Sequence, residues 1–233
     1  PVQFTILTTI AVAIGGVVQI VPMIVVKSNI PTISSVKPYS PLELEGRDIY
    51  IREGCNNCHS QMIRPFRSEV KRYGEYSKSG EYVYDHPFLW GSKRTGPDLM
   101  RIGGKYNDNW HFNHMWSPQR MDEKSVMPAY KWLFDNKAMD HSLIEKKMSV
   151  MVTLGVPYTD ADIANAKKSI DEQSTKIEKS LYNDPDFVKS YEDSKKKAAA
   201  KGEDFVPMKD REIVALIAYL QRMGTDIKVK KAK

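Results

Sequence analysis

Hydrophobic positions are spread unevenly along this chain of 233 residues. Residues 2–26 include no charged side chain. A helix over them would be about 37 Å long, enough to cross a hydrocarbon core of roughly 30 Å. The pattern predicts a transmembrane anchor over 1–27. The run is too long for the core of a cleaved signal peptide, and no small-residue cleavage pattern follows before Lys27. Thr8, Ala11 and Gly15 fall on one face, either as a seam for another helix or because small residues are common in membrane helices. Pro22 is tolerated near the end of such a helix. The first residue is Pro1 rather than Met, so further residues are expected before it.

A Pro- and Ser-containing linker is expected over 28–41, and then the pattern turns helical. Apolar spacing predicts a helix over 42–53, with Gly46 and Tyr50 one turn apart. Residues 60–94 form a long connection dense in Tyr, Arg and Gly. A short helix over 107–116 is broken by Ser117-Pro118. Helices continue through 146–203, with Thr159 as a cap before 163–178. The last helix should be capped by Asp210, bury Ile213, Leu216, Ile217 and Leu220, and stop at Gly224. The expectation is a mainly α chain: one N-terminal transmembrane helix, a domain over 42–140 and 205–225, a helical insertion over 141–204, and a lysine-rich solvated tail over 226–233. The net charge is +6, but the basic residues are scattered rather than banded. That permits an acidic partner or an anionic membrane surface and argues against nucleic-acid binding.

The only two cysteines lie in Cys55-Asn56-Asn57-Cys58-His59. This spacing reads as a c-type haem attachment site. Each thiol can add across one haem vinyl group, and the adjacent imidazole can reach the iron. A structural zinc site would need a second ligand pair, and a thioredoxin-like dithiol leaves His59 unexplained. A second loaded stretch is Ser125-Val126-Met127-Pro128. A thioether on a loop stiffened by proline can be held against the haem face opposite His59, so Met127 is the expected sixth ligand. Met62 lies too close to His59 to reach that face. Met115 and Met121 read as packing residues. His111 and His114 could also ligate, but on a helix flanked by Trp110 and Trp116 they read as hydrogen-bonded structural histidines.

Taken in order, Gly46 and Tyr50, the haem motif, Gly96-Pro97-Asp98-Leu99, Met127-Pro128 and Leu216-Ile217-Ala218-Tyr219-Leu220 resemble the motifs of class I cytochromes c. That resemblance implies a class I cytochrome c-like haem domain. In it the Pro97 carbonyl receives the hydrogen bond of His59, Leu99 packs on the haem, and the first and last helices cross at the small residue and the aromatic. A closer resemblance covers most of the chain. Arg64-Pro65-Phe66-Arg67-Ser68-Glu69, Tyr73-Gly74-Glu75-Tyr76, Tyr84-Asp85-His86-Pro87, Trp90-Gly91-Ser92-Lys93-Arg94-Thr95 and Ser125-Val126-Met127-Pro128-Ala129-Tyr130 are similar to the monohaem subunit of cbb3-type cytochrome c oxidase. Residues 180–202 depart from that pattern.

The family resemblance implies an electron-transfer subunit anchored in the bacterial inner membrane with its haem domain in the periplasm. Its donor would be a dihaem or soluble c-type cytochrome, and its acceptor a large haem-copper catalytic subunit that reduces oxygen. Enzyme activity would then belong to the complex. Arg64, Arg67, Lys93 and Arg94 are candidates either to neutralise haem propionates or to form surface ion pairs, and a calcium ion near the propionates, beside Ser92, is allowed at the subunit interface. Three rival readings are the cytochrome c subunit of a nitric oxide reductase, a haem-based gas sensor with a labile sixth position, and a structural assembly subunit.

Overall fold

Helix α1 (Val2–Val25) contains Pro22 near its end, and no part of Val2–Pro22 is buried against the rest of the protein. It is the one helix among the described residues long and apolar enough to cross a membrane. Along it the hydroxyls of Thr5 and Thr9 donate to carbonyls four residues back, at 3.1 and 2.8 Å, which satisfies them without water. The computed structural model describes residues 1–26 and 31–228. Part of the expected linker and residues 229–233 of the expected tail lie outside that range.

Ser40 opens α2 (Pro41–Arg52) with a capping box: its N–H donates to Glu43 Oε2 at 2.8 Å, and Glu43 N–H donates to its hydroxyl at 3.3 Å. One turn, α3 (Cys55–Cys58), follows almost at once. The supposed connection over 60–94 contains α4 (Arg67–Tyr73) and a 3₁₀ turn at Ser79–Tyr82. Next come α5 (Asp108–Trp116), capped by Asn107, and α6 (Pro118–Met121). Pro118 thus both ends one helix and starts the next. Helices α7 (Ile144–Thr153), α8 (Asp160–Ala164), α9 (Ala166–Leu181), α10 (Pro185–Lys201) and α11 (Glu212–Arg222) complete a chain with no strand among the described residues.

The most extensive helix pair is α2 with α11. They cross at Gly46, where a Cβ would overlap the Ala215 carbonyl oxygen and lie 2.9 Å from Tyr219 Cβ. Tyr50 and Tyr219 meet edge to face beside the crossing, their ring centroids 5.3 Å apart. Against this cross pack Ile144 and Met148 of α7 and Ile170, Ile177 and Leu181 of α9, all in the same buried core. The stretch 141–204 is helical, and its inner faces are continuous with the domain that flanks it in sequence. Gln173 of α9 even accepts from the Ser40 hydroxyl at 2.6 Å, tying α9 to the start of α2.

Two predicted caps fall differently. Thr159 makes its capping box, but the helix it starts ends at Ala164, and α9 begins anew after Asn165. Asp210 does not cap α11, because it sits in the 3₁₀ turn Met208–Asp210 and Arg211 takes the N-cap position. The Arg211 guanidinium instead donates to the carbonyls of Phe134 and Val206, each at 2.8 Å, which folds the incoming segment over the helix start. Gly224 follows α11 with φ +66°, as a helix stop should.

Replacing Gly46 with Val forces a side chain into the Ala215 carbonyl. The expected outcome is a loss of about 3 kcal/mol or failure to fold, read from the urea midpoint at constant m-value. An unchanged midpoint would mean that α2 and α11 do not cross there.

Candidate haem site

Gly54, at φ +70°, turns the chain from α2 into α3, a conformation in which a side chain would be strained. The turn leaves Cys55 buried and Cys58 exposed, both as free thiols. Burial, and then the charge of Glu53, pushes the Cys55 thiol up to about 12. His59 leaves α3 in extended conformation and enters a seam with the segment around Pro97. Gly96 N–H donates to the Cys58 carbonyl at 3.0 Å and Leu99 N–H to the Ser60 carbonyl at 2.9 Å. Asp98, buried in the seam, accepts from the Ser60 hydroxyl at 2.6 Å, from Met62 N–H at 2.9 Å and from Met100 N–H at 2.8 Å.

This seam sets the Pro97 carbonyl 2.8 Å from His59 Nδ1. Only Nδ1–H can donate to a carbonyl, so the tautomer is fixed and the Nε2 lone pair is free for a metal. Burial lowers the pKa of His59, which keeps it neutral as a ligand must be. At Gly96 a Cβ would overlap His59 Cε1 and lie 2.8 Å from Nε2, so the imidazole occupies space that any other residue would fill.

The second segment approaches along α5 and α6. Gln119 donates to the carbonyls of Ser125 and Met127 at 3.1 and 2.8 Å, and Tyr130 N–H donates to the Met115 carbonyl at 2.9 Å. Between these anchors Val126 points outward, 79% exposed, while Met127 turns inward and packs at the edge of the core. Just beyond, Trp132 donates to Glu53 at 3.0 Å, and the Tyr130 phenol is raised by burial and then by Cys55 and Cys58. The Met127 loop therefore lies beside the cysteine turn. Leu99 is half-buried against the same core. Met115 is buried as expected of a packing residue, whereas Met121 is exposed.

Arg64 and Arg94 converge on Glu69. Arg94 donates to its carboxylate at 2.7 Å, to the Ser60 hydroxyl at 2.8 Å and to the Met62 carbonyl at 2.9 Å; Arg64 Nε donates to the other carboxylate oxygen at 2.5 Å. Arg94, and after it Arg64, holds the Glu69 carboxyl down to about 2. Arg67, Ser92 and Lys93 are exposed. The organising roles of Glu69, in the first turn of α4, and of Asp98 are not evident from sequence; for Asp98 the available signal is a carboxylate between Pro97 and Leu99.

The histidines of α5 also differ from expectation. His111 Nε2 and His114 Nδ1 are buried without a hydrogen-bond partner. Burial pushes His111 down to about 4 and also lowers His114, on which the charge of His59 acts next. Among the described residues no group of three or more His, Cys, Asp or Glu could hold a metal ion on its own. A haem fits what is present: two thiols, an imidazole with one free nitrogen, a glycine that leaves it room, and buried polar nitrogens waiting for partners.

His111 is 1% exposed and neutral when folded, while an unfolded histidine titrates near 6.5. Its folded pKa is depressed, so between about 6.5 and 4 the unfolded chain binds the extra proton and stability falls as pH falls, by roughly 3 kcal/mol in all. In a His111→Gln variant that part of the slope in urea midpoint against pH should vanish. A slope identical to that of the parent would place the titration elsewhere.

No curated protein matches the chain. Residues 1–227 match the family described as cytochrome c oxidase, mono-heme subunit/FixO. The chain belongs to that family, the monohaem cytochrome c subunit of cbb3-type oxidases.

Proposed function

We propose that this chain is the one-electron relay of its oxidase, holding a covalent haem c between the Cys55-Cys58-His59 turn and the Met127 loop. Bound haem supplies the iron that takes up and releases the electron. The thiols of Cys55 and Cys58 would hold the haem by adding across its two vinyl groups, each sulfur becoming a thioether. His59 would bind the iron through Nε2, oriented by Pro97, and Met127 would supply the other ligand, leaving oxygen chemistry to the large haem-copper subunit. Leu99 would pack on the group, and Arg64 and Arg94, which share Glu69, would balance its carboxylates. An interface calcium beside exposed Ser92 belongs to the same reading.

This reading rests above all on the 2.8 Å hydrogen bond from His59 Nδ1 to the Pro97 carbonyl, together with the space left by Gly96. Helix α1 anchors the domain in the bacterial inner membrane, with the rest of the chain on the periplasmic side where haem is attached. A long domain is translocated despite positive charge. Electrons enter from a dihaem or soluble c-type cytochrome and leave to the catalytic subunit.

Purification in mild detergent should bring down a copper-containing partner with oxygen uptake; elution as a lone cytochrome would sink the assignment to a complex. Met127→Ala should convert a six-coordinate low-spin spectrum into one that binds carbon monoxide. An unchanged spectrum would move the sixth ligand elsewhere.

A further inference from the structure

An open cleft of about 300 Å³ is lined by Ser68, Arg72 and Tyr73 of α4 and by Arg94, Thr95 and Pro97. The carbonyl of that same Pro97 orients His59, and Gly96, also in the wall, lies against the imidazole. The cleft is therefore where the seam that carries the proximal histidine meets solvent. Its charge is positive. The guanidinium carbons of Arg72 and Arg94 stand 5.1 and 5.2 Å from the centroid of the Tyr73 ring. The one carboxylate present, Glu69, is already taken by Arg64 and Arg94.

Among the described residues Arg72 pairs with no carboxylate, and neither do Arg67, Lys71 and Lys93, all four being exposed. Cations on other helices are paired: Lys147 reaches Glu45 and Asp48 at 2.6 and 2.8 Å, and Arg222 reaches Glu43 at 3.4 Å. Arg67 and Lys71 stand four residues apart on α4, where like charges repel. Basic residues that look scattered along the sequence are thus gathered by the fold around one concave site, with Phe66 beside them 56% exposed. A planar guanidinium and two hydroxyls facing a cleft suit a carboxylate, and an electron acceptor must approach the haem closely. We infer that this cleft receives an acidic loop of the large haem-copper subunit, one carboxylate pairing with Arg72 while Arg67, Lys71 and Lys93 meet its other acidic groups. The inference rests on the proposal that this subunit accepts the electron, and it sets the exit beside His59.

The test uses the oxidase complex in mild detergent and reads the acetylation rates of lysine amines by mass spectrometry. Lys71 and Lys93 should react about tenfold more slowly in the complex than in the subunit released from it by salt. A carbodiimide should join one of them to an Asp or Glu of the large subunit. The double variant Lys71→Glu/Arg72→Glu should keep the haem spectrum of the parent yet retain about tenfold less of the large subunit, whereas Lys71→Arg/Arg72→Lys should retain it in full. The footprint of the parent stands if the double variant does not accumulate. Equal acetylation rates in the complex and the released subunit would make the cations a solvated face and overturn the inference, while the complex itself survives. A cross-link to a c-type cytochrome donor would overturn it in favour of electron entry at this cleft. Protection that appears only when vesicles of phosphatidylglycerol are added would overturn it in favour of the membrane surface. Elution of the parent as a lone cytochrome would overturn the inference and the functional reading together.

Discussion

The hydrogen bond from His59 to the Pro97 carbonyl holds only while two segments nearly forty residues apart keep their register. The buried carboxylate of Asp98 maintains that register. A carboxylate out of water is costly unless its lone pairs are filled. Ser60, Met62 and Met100 fill them, and the Arg94 guanidinium stands 3.5 Å away to balance the charge. Arg94 is held in turn by Glu69. Satisfaction is therefore passed outward from one buried charge to the next, and the imidazole is aimed as a consequence.

That seam would have nowhere to sit without the crossing of α2 and α11. Close approach at Gly46 brings α2 down on α11, and α3 follows within a few residues, so the cysteine turn inherits the position of the cross. Arg52 spans to Glu212 at 2.8 Å on the same side. The far end of α11 performs a second task. Gln221 accepts from Gly104 N–H at 2.9 Å and donates to the Tyr106 carbonyl and to Asp108 at 3.0 and 2.7 Å. These bonds clamp the chain just before α5, and through α5 they locate the Met127 loop. Both faces of the candidate haem pocket are thus referred to a single helix.

Much of this was legible because it is local or strictly spaced. The haem motif, the apolar anchor, and the Gly46 and Tyr50 spacing can each be read within a turn or two of helix. What could not be read depends on distance in sequence. Asp210 has the residue type of an N-cap, yet Arg211 reaches carbonyls at Phe134 and Val206 that no local pattern announces. The charged faces of α7 and α9 suggested solvent exposure, but Ile144, Met148, Ile170 and Ile177 are buried in the main core. Trp-flanked histidines suggested satisfied structural groups. Whether a buried nitrogen has a partner depends on the third dimension alone.

The connection over 60–94 illustrates how little apolar surface a fixed loop needs. Its cluster is small: Ile63 and Tyr82, with Tyr73 beside them, pack on Met100 from the segment that follows. Two buried guanidiniums do the rest. Arg101 binds Glu81 at 2.7 and 2.9 Å and the Glu75 carbonyl at 3.1 Å. Arg47, rooted in α2, binds Asp85 at 3.2 Å and the carbonyls of His86 and Pro87. Burial still raises the Asp85 carboxyl, outweighing the pull of Arg47, so the pair adds little net stability for the desolvation it suffers. What it adds is direction: five planar N–H donors accept only one arrangement of carboxylate and carbonyls. A tyrosine- and arginine-rich stretch with few aliphatic residues is thereby fastened to the same helix that aims the cysteine turn, which keeps Arg94 and its carboxylate partners at the edge of the pocket.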